Sequence, residues 1–455
     1  MKKISRRSFL KVAGAASVAA LLSACKYEDV PVLSVGEVTG KPGSQIAVVE
    51  GCPWGPAVAA TILVLPCLVK STSVSAEKFS VVESKESFDW ATFRPDHIVV
   101  DTDRTVVEAV TVTPDGKVTT LPSQYVLITL AVDPNTGNPF CFDMLTKKTS
   151  RCDPYQLKVT LKAPLETMWG EPVTELSVDP NASLVAPCLE GVDLNNIFTG
   201  SQGHTMGYAD YKPDHPAGQK LPLVIWLHGA GEGGDDPAVA VLGNQVSALF
   251  DEKFQSVMGG AYVLVPQCPT YWMSYTEGPD WGDNPGVSSI YLQDLMELIQ
   301  NYVAQNPDID PNRIIVGGCS NGGYMTMDLV MHYPNYFAAA YPICEAYLDA
   351  GISDDELHNI ADTKLPIWFV YAQTDTTVPP AQYSAPTMAR LKNMNADLYA
   401  TVWPNVVDTT GKLKKANGSV YEYNGHFSWI YFFQGLCKDD ATGVDMWSWM
   451  AKQSR

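Results

Sequence analysis

The chain has 455 residues, 46% of them hydrophobic, which is long enough to bury two separate cores. Its formal net charge is −19; the five basic side chains before Cys25 face no acidic ones, so the remainder holds 26 basic against 50 acidic groups, a net of −24. That balance leaves no basic stripe for a phosphate backbone, so no nucleic-acid partner is expected, and the charge serves solubility.

The N-terminus is a targeting segment and stands apart from the fold. Ser5-Arg6-Arg7-Ser8-Phe9-Leu10-Lys11 resembles a twin-arginine export motif. The apolar stretch from Val12 to Leu22 is too short to remain as a membrane-spanning helix. It ends in Leu22-Ser23-Ala24-Cys25, which resembles a lipobox with Cys25 as the lipidated first residue. Residues 1–25 are therefore expected to export the chain and tether it by lipid on the extracytoplasmic side of the membrane. With Cys25 used in this way nine cysteines remain, an odd number, so at least one is unpaired within the chain. Cys52 with Cys67, and Cys141 with Cys152, flank short turn-rich stretches and are expected to pair outside the cell. No C-x-x-C or H-E-x-x-H occurs, so neither a metal nor another cofactor is expected.

Residues 27–165 read as short strands between turn signals. Ala59 to Leu65, Val106 to Thr113, Tyr125 to Ala131 and Tyr155 to Leu161 are rich in β-branched residues or alternate apolar with polar. Pro114-Asp115-Gly116 and Asp133-Pro134-Asn135-Thr136-Gly137 separate them. Strands at this spacing, without any long helical period, predict an immunoglobulin-like β-sandwich. Such a module could be a spacer, a lid or a polymer-binding domain, and its fold does not decide among them. Residues 166–200, rich in Pro, Asn and Gly, read as a linker and entry into the next domain.

From residue 201 to 455 strands alternate with helices, which predicts a mostly parallel sheet flanked by helices. Strands are expected at Leu223–Leu227, Ala261–Val265, Ala338–Ile343 and Pro366–Tyr371. Helices are expected at Gln245–Phe254, Ser289–Gln305 and Met446–Lys452. Between them, Ile314-Ile315-Val316-Gly317-Gly318-Cys319-Ser320-Asn321-Gly322-Gly323-Tyr324 runs from a β-branched strand through glycines into a helix. That is the G-x-S-x-G elbow, a strained turn that lifts the Ser320 hydroxyl above a sheet.

His228-Gly229-Ala230-Gly231-Glu232-Gly233-Gly234 admits two readings. Gly229, Gly231 and Gly234 fit a dinucleotide-binding G-x-G-x-x-G, with Asp251 about twenty residues on. Asp251, however, ends a run of helical spacing rather than a second strand. The stronger reading is a loop whose backbone N–H faces a developing oxyanion, with Gly229, Gly231 and Glu232 supporting Ala230.

A serine nucleophile needs a histidine base held by a carboxylate, met in the order Ser, acid, His along this kind of chain. Asp375 follows an apolar strand in Gln373-Thr374-Asp375-Thr376-Thr377-Val378-Pro379, at a strand's C-terminal end. Asp354, Asp355 and Glu356 instead read as the start of a helix. Of the histidines only His426, in Asn424-Gly425-His426-Phe427, lies beyond Asp375.

With these residues the chain resembles the α/β-hydrolase esterases that carry an immunoglobulin-like N-terminal domain. These lie near the predicted peptidase and polyhydroxybutyrate-depolymerase-like branch of the prolyl oligopeptidase clan. The resemblance implies Ser320 as nucleophile, Asp375 as orienting acid and His426 as base, with the backbone N–H groups of Ala230 and Asn321 as the oxyanion hole. It implies hydrolysis of a small-molecule or polymeric carboxylic ester through an acyl-enzyme. Trp272 and Trp281, in an aromatic loop after the Val265 strand, are expected to line a substrate pocket or else to pack against the sandwich domain. Two other readings compete: a serine peptidase of the prolyl oligopeptidase type, and a non-catalytic surface lipoprotein that binds a polymer. The chain has no recognisable propeller to gate a peptidase site, which favours esters.

Overall fold

The computed structural model describes residues 40–276 and 286–455, which form two units. The export segment, Cys25 and Trp281 lie outside the described residues. Among the described residues, one unit takes in those up to Cys141, Arg151–Gly191 and Asp408–Val420; the other takes in Phe142–Ser150, those between Val192 and Val407, and Tyr421–Arg455.

The first unit is all β. Gln45–Cys52 turns at Pro53-Trp54 into the long strand Gly55–Val69, and Ser123–Leu130 and Val106–Val112 extend the sheet. Ile98–Arg104, Phe79–Ser87 and Tyr155–Leu161 form a second sheet of three strands. Alternation along Gly55–Val69 sends Ala60, Ile62 and Val64 to one face, where they pack with Val48, Val112 and Leu127. The immunoglobulin-like sandwich expected from the strand pattern is present. Arg104 is buried in it, with Nη1 donating to Glu83 at 3.0 Å and Nη2 donating to the carbonyls of Val58 and Ala131. A buried guanidinium is tolerable only with its donors satisfied in this way.

Two expectations fail here. Residues 166–200 are not a linker: Ser183–Val185 pairs in parallel with Gln45–Cys52 as the edge of the five-stranded sheet, and Val192–Thr199 already belongs to the second unit. Main-chain pairing of Ile46 to Val48 with Ser183 to Val185 outweighs the loop-like composition. Nor are the disulfides formed: Cys52 is not bonded to Cys67, nor Cys141 to Cys152. Cys52 faces Gly55 across the hairpin, so Cys67 lies twelve residues further along the same extended strand, roughly 40 Å away at strand rise. Cys152 spends its thiol hydrogen on the Glu86 carbonyl at 3.4 Å, and burial pushes its pKa up to about 12.

The second unit holds an eight-stranded sheet: β1 (Val192–Thr199), β2 (Thr205–Tyr211), β3 (Leu221–Leu227), β4 (Tyr262–Gln267), β5 (Ile309–Cys319), β6 (Ala339–Ile343), β7 (Ile367–Ala372) and β8 (Leu398–Trp403). Its spatial order is β1-β2-β4-β3-β5-β6-β7-β8, antiparallel at β1-β2 and β2-β4 and parallel from β4 onward. Strands covered by helices on both faces must be apolar throughout, and β3 is buried at all seven positions. This is an α/β-hydrolase sheet. Leu292–Gln305 buries Leu295, Met296, Leu298, Ile299 and Tyr302, the stripe that its periodicity predicts. Gln245–Phe254 is not one helix. Val246–Leu249 winds as a 3-10 turn after Gln245 at φ 63°, and a helix restarts at Glu252–Met258 with Asp251 as N-cap. Among the described residues no helix is long and apolar enough to cross a membrane.

Candidate active site

Loops at the C-terminal ends of parallel strands bring together residues far apart in sequence. At the end of β5 the chain passes so close to its neighbours that side chains are forbidden. A Cβ on Gly318 would stand 2.3 Å from the Leu227 carbonyl oxygen, and one on Gly317 2.3 Å from the Tyr341 ring. Ser320 then takes φ 56° and ψ −116°, a conformation that L-residues rarely adopt, before the helix Asn321–His332 begins. The turn is pinned from both sides, with the Ser320 N–H donating to Ile343 O at 2.9 Å and its carbonyl accepting from Ala346 N at 3.2 Å.

His426 Nε2 lies 2.8 Å from Ser320 Oγ, and His426 Nδ1 lies 2.8 Å from Asp375 Oδ2. The other Asp375 oxygen accepts from the N–H groups of Thr377 and Val378, each at 2.9 Å. Asp375 is thereby held as the partner of one ring nitrogen while its second oxygen is spent. His426 sits in a tight turn, Gly425–Phe427, and its own N–H donates to the Asn424 side chain at 2.9 Å. Gly425 is required there because a Cβ would stand 2.6 Å from the Asp375 nitrogen.

The glycine loop begins at the end of β3, beside the elbow, since Leu227 pairs with Gly318. His228 is wholly buried; its Nδ1–H donates to Gly229 O at 2.7 Å and its Nε2 accepts from Cys268 N at 2.9 Å. Burial lowers its pKa to about 4, so it is a neutral staple between the loop and the end of β4. Ala230–Glu232 follows as one 3-10 turn. Asn321 is buried, and its Oδ1 accepts from Trp272 N at 2.7 Å.

Glu232 is enclosed beneath this loop. Burial raises its pKa to about 7, with the Gly229 N–H acting in the opposite direction, and one carboxyl oxygen has no hydrogen-bond partner. The neighbouring Cys319 thiol is likewise pushed up by burial and stays neutral. Unfolded, Glu232 ionises near 4.5, and folded near 7, so it imposes no penalty below the lower value and its full penalty above the upper one. Glu232→Gln is therefore expected to remove a fall in stability on the order of 3 kcal/mol as pH rises through that window. Urea midpoints of both proteins at about pH 5 and about pH 8 check this, and parallel pH profiles would refute it.

Several expectations resolve differently. Trp272 is not a pocket wall: its side chain is wholly buried, against the rings of His228 and Tyr291, because its backbone is drawn in to cap Asn321. Asp251 stands at the N-cap position of a helix and ends no strand, which removes the dinucleotide reading. Asp354 and Asp355 lie in the first turn of Asp354–Asp362, where Ser353 and Glu356 form a capping box. Cys319 is buried with its thiol toward Asn244 Oδ1 at 3.5 Å. Glu345, which escaped sequence reading, is fully buried behind the elbow; it accepts from Tyr347 N and Ser384 Oγ, and burial raises its pKa to about 8. A carboxylate two residues after the buried strand β6 was the available signal.

Comparison with known proteins agrees with this architecture. Residues 44–174 match the family described as "Esterase Ig-like N-terminal domain", residues 214–406 match "Phospholipase/Carboxylesterase", and residues 3–23 match the twin-arginine translocation signal. The poly(3-hydroxyalkanoate) depolymerase C of Paucimonas lemoignei is 24% identical over 51% of this chain and 61% of its own length. The poly(3-hydroxybutyrate) depolymerase of Ralstonia pickettii is 30% identical over 30% of this chain and 28% of its own. The chain thus spans less than two thirds of either relative. The crystal structure of a thermostable esterase superposes with a TM-score of 0.67 at 24% identity, covering 90% of this chain and all of that one, a likeness of fold. The chain is thus an α/β-hydrolase-fold esterase, with a domain matching the phospholipase/carboxylesterase family, an esterase-type immunoglobulin-like domain before it and a twin-arginine export signal at its N-terminus.

Proposed function

We propose that this protein is an exported serine esterase that cleaves carboxylic esters through an acyl-enzyme. The observation that carries the reading is the unbroken chain Ser320 Oγ, His426 Nε2, His426 Nδ1, Asp375 Oδ2, with both hydrogen bonds at 2.8 Å. Ser320 Oγ attacks the carbonyl carbon as His426 Nε2 takes its proton. Asp375 holds the ring with Nδ1–H directed at itself and stabilises the imidazolium. The tetrahedral oxyanion is received by the N–H groups of Ala230 and Asn321. His426 returns the proton to the leaving alcohol oxygen, and a water then repeats the two steps on the acyl group to free the acid and Ser320. Only groups of this chain and one water carry these steps.

The depolymerase names of the curated relatives support polymeric aliphatic esters alongside small ones as substrates. The lipobox-like Leu22-Ser23-Ala24-Cys25 supports a lipid anchor at Cys25, which would keep the enzyme at the outer face of the cell membrane.

The test is a panel of p-nitrophenyl esters of rising acyl length beside peptide p-nitroanilides, with a fluorophosphonate label mapped to its peptide. Ester turnover is expected, with the label on Ser320 and a loss on the order of 10⁶ in kcat for Ser320→Ala. Turnover confined to the anilides would favour the peptidase reading, and turnover that survives Ser320→Ala would end both.

A further inference from the structure

Phe142–Ser150 belongs to the catalytic unit, although the chain on either side of it belongs to the sandwich unit. It is the tip of a hairpin made by Phe140–Asp143 and Lys148–Arg151. Its turn is locally built: Asp143 Oδ1 accepts from Leu145 N at 2.7 Å and Thr146 N at 3.2 Å, and Lys147 closes it at φ 58°.

This tip lies against the glycine loop. Thr149 Oγ1 donates to Gly231 O at 2.6 Å, and Thr149 N donates to Gly233 O at 2.7 Å. The carbonyl between them, Glu232 O, accepts from Gln267 Nε2 at 3.0 Å, and Gly234 N donates to Cys268 O at 2.9 Å. Three successive loop carbonyls are thus fixed, two of them by one residue of the hairpin. The approach is close enough to demand glycine. A Cβ on Gly234 would stand 2.8 Å from Thr149 O, and one on Gly233 3.2 Å from Lys147 O and 1.8 Å from Thr270 O.

The same tip also reaches the segment behind the other oxyanion donor. Lys147 has a side chain almost wholly enclosed, with Nζ 4.8 Å from the centre of the Tyr271 ring. Enclosing an ammonium is unfavourable in itself, so that contact needs the ring's negative face and nearby acceptors. The next residue, Trp272, gives its N–H to Asn321 Oδ1.

We infer that residues 142–150 are a strap that positions the oxyanion hole, with Thr149 as its principal positioning residue. The strap fixes the carbonyls just after Ala230 and braces the Tyr271-Trp272 segment that holds Asn321. The inference rests on the esterase reading and on Ala230 and Asn321 as its donors. A fixed donor stabilises the transition state more than the bound ester, so loosening the strap acts on kcat.

The test uses the full mature chain and compares Thr149→Val, Thr149→Ser and the exposed hairpin control Thr146→Val. Turnover of a p-nitrophenyl ester is normalised to active sites titrated with a fluorophosphonate, so that incomplete folding does not enter. Thr149→Val is expected to lower kcat about tenfold with KM within about twofold. Thr149→Ser, which keeps the hydroxyl donor, is expected to recover most of the loss, and Thr146→Val to match the wild type. Wild-type kcat per site in Thr149→Val, or an equal loss in the Ser variant, would overturn the strap while leaving the esterase standing. A wild-type chain without ester turnover would overturn both together.

Discussion

Asp375→Asn is expected to fold normally and to lose about 10⁴ in kcat on p-nitrophenyl esters. The reason is specific to the way this carboxylate is held. One oxygen accepts from Thr377 N and Val378 N, so an amide at this position must keep its oxygen there. Its NH₂ then faces His426 Nδ1, which can only accept from it, and the ring proton is driven to Nε2. A protonated Nε2 cannot take the proton of Ser320. The loss comes from the wrong tautomer and not from lost geometry, so the midpoint of unfolding should move little while kcat collapses. Paired measurement of kcat and of the urea midpoint checks both halves. An Asn variant within tenfold of wild type would remove Asp375 from its proposed role.

The second large effect is on stability. Gly322→Ala places a Cβ 2.0 Å from Leu227 O, 2.4 Å from Leu227 C and 2.6 Å from His228 O, all backbone atoms where β3 meets the glycine loop. No side-chain rotation relieves such a contact, so the first turn of the helix Asn321–His332 must move away from the sheet. A loss of about 3 kcal/mol or more is expected in urea unfolding. Gly231→Ala is the contrast, because nothing lies within 4 Å of its would-be Cβ; its stability should stay within about 0.5 kcal/mol of wild type. Equal unfolding midpoints for the two variants would contradict the steric account.

These effects follow the line between what the sequence made legible and what it concealed. The elbow, Asp375 and His426 each announce themselves through short-range chemistry: a glycine-bracketed turn, an aspartate just past an apolar strand, a histidine beside a glycine. The parallel sheet was legible for the same reason, because β3 and the Ile314–Cys319 part of β5 are short runs free of charged residues, each leading into a glycine-rich turn. What stayed hidden depends on contacts distant in sequence. Thr149 meets Gly231 across 82 residues, and nothing about a threonine in a polar hairpin foretells it. Ser183–Val185 looks like linker because its partner strand begins at Gln45. The reading of Trp272 stayed open because composition suggests an aromatic loop but cannot tell which of its rings face in; Trp272 is buried, with its N–H on Asn321, while Tyr275 is exposed. The expected pairing of Cys52 with Cys67 failed because a single fifteen-residue strand carries one of them away from the other.

The division of the chain between its two units has a consequence for modularity. The polypeptide passes between them five times, after Cys141, Ser150, Gly191, Val407 and Val420. A single cut therefore never releases one unit whole. Truncation after Gly191 leaves a catalytic fragment without residues 142–150, and it also isolates Asp408–Val420 from the unit to which that segment belongs. Domain shuffling, a common way for sandwich modules to be gained and lost, is closed to this pair unless both excursions travel with it. An engineered exchange of either part must therefore carry residues 142–150 and Asp408–Val420 with the units to which they belong.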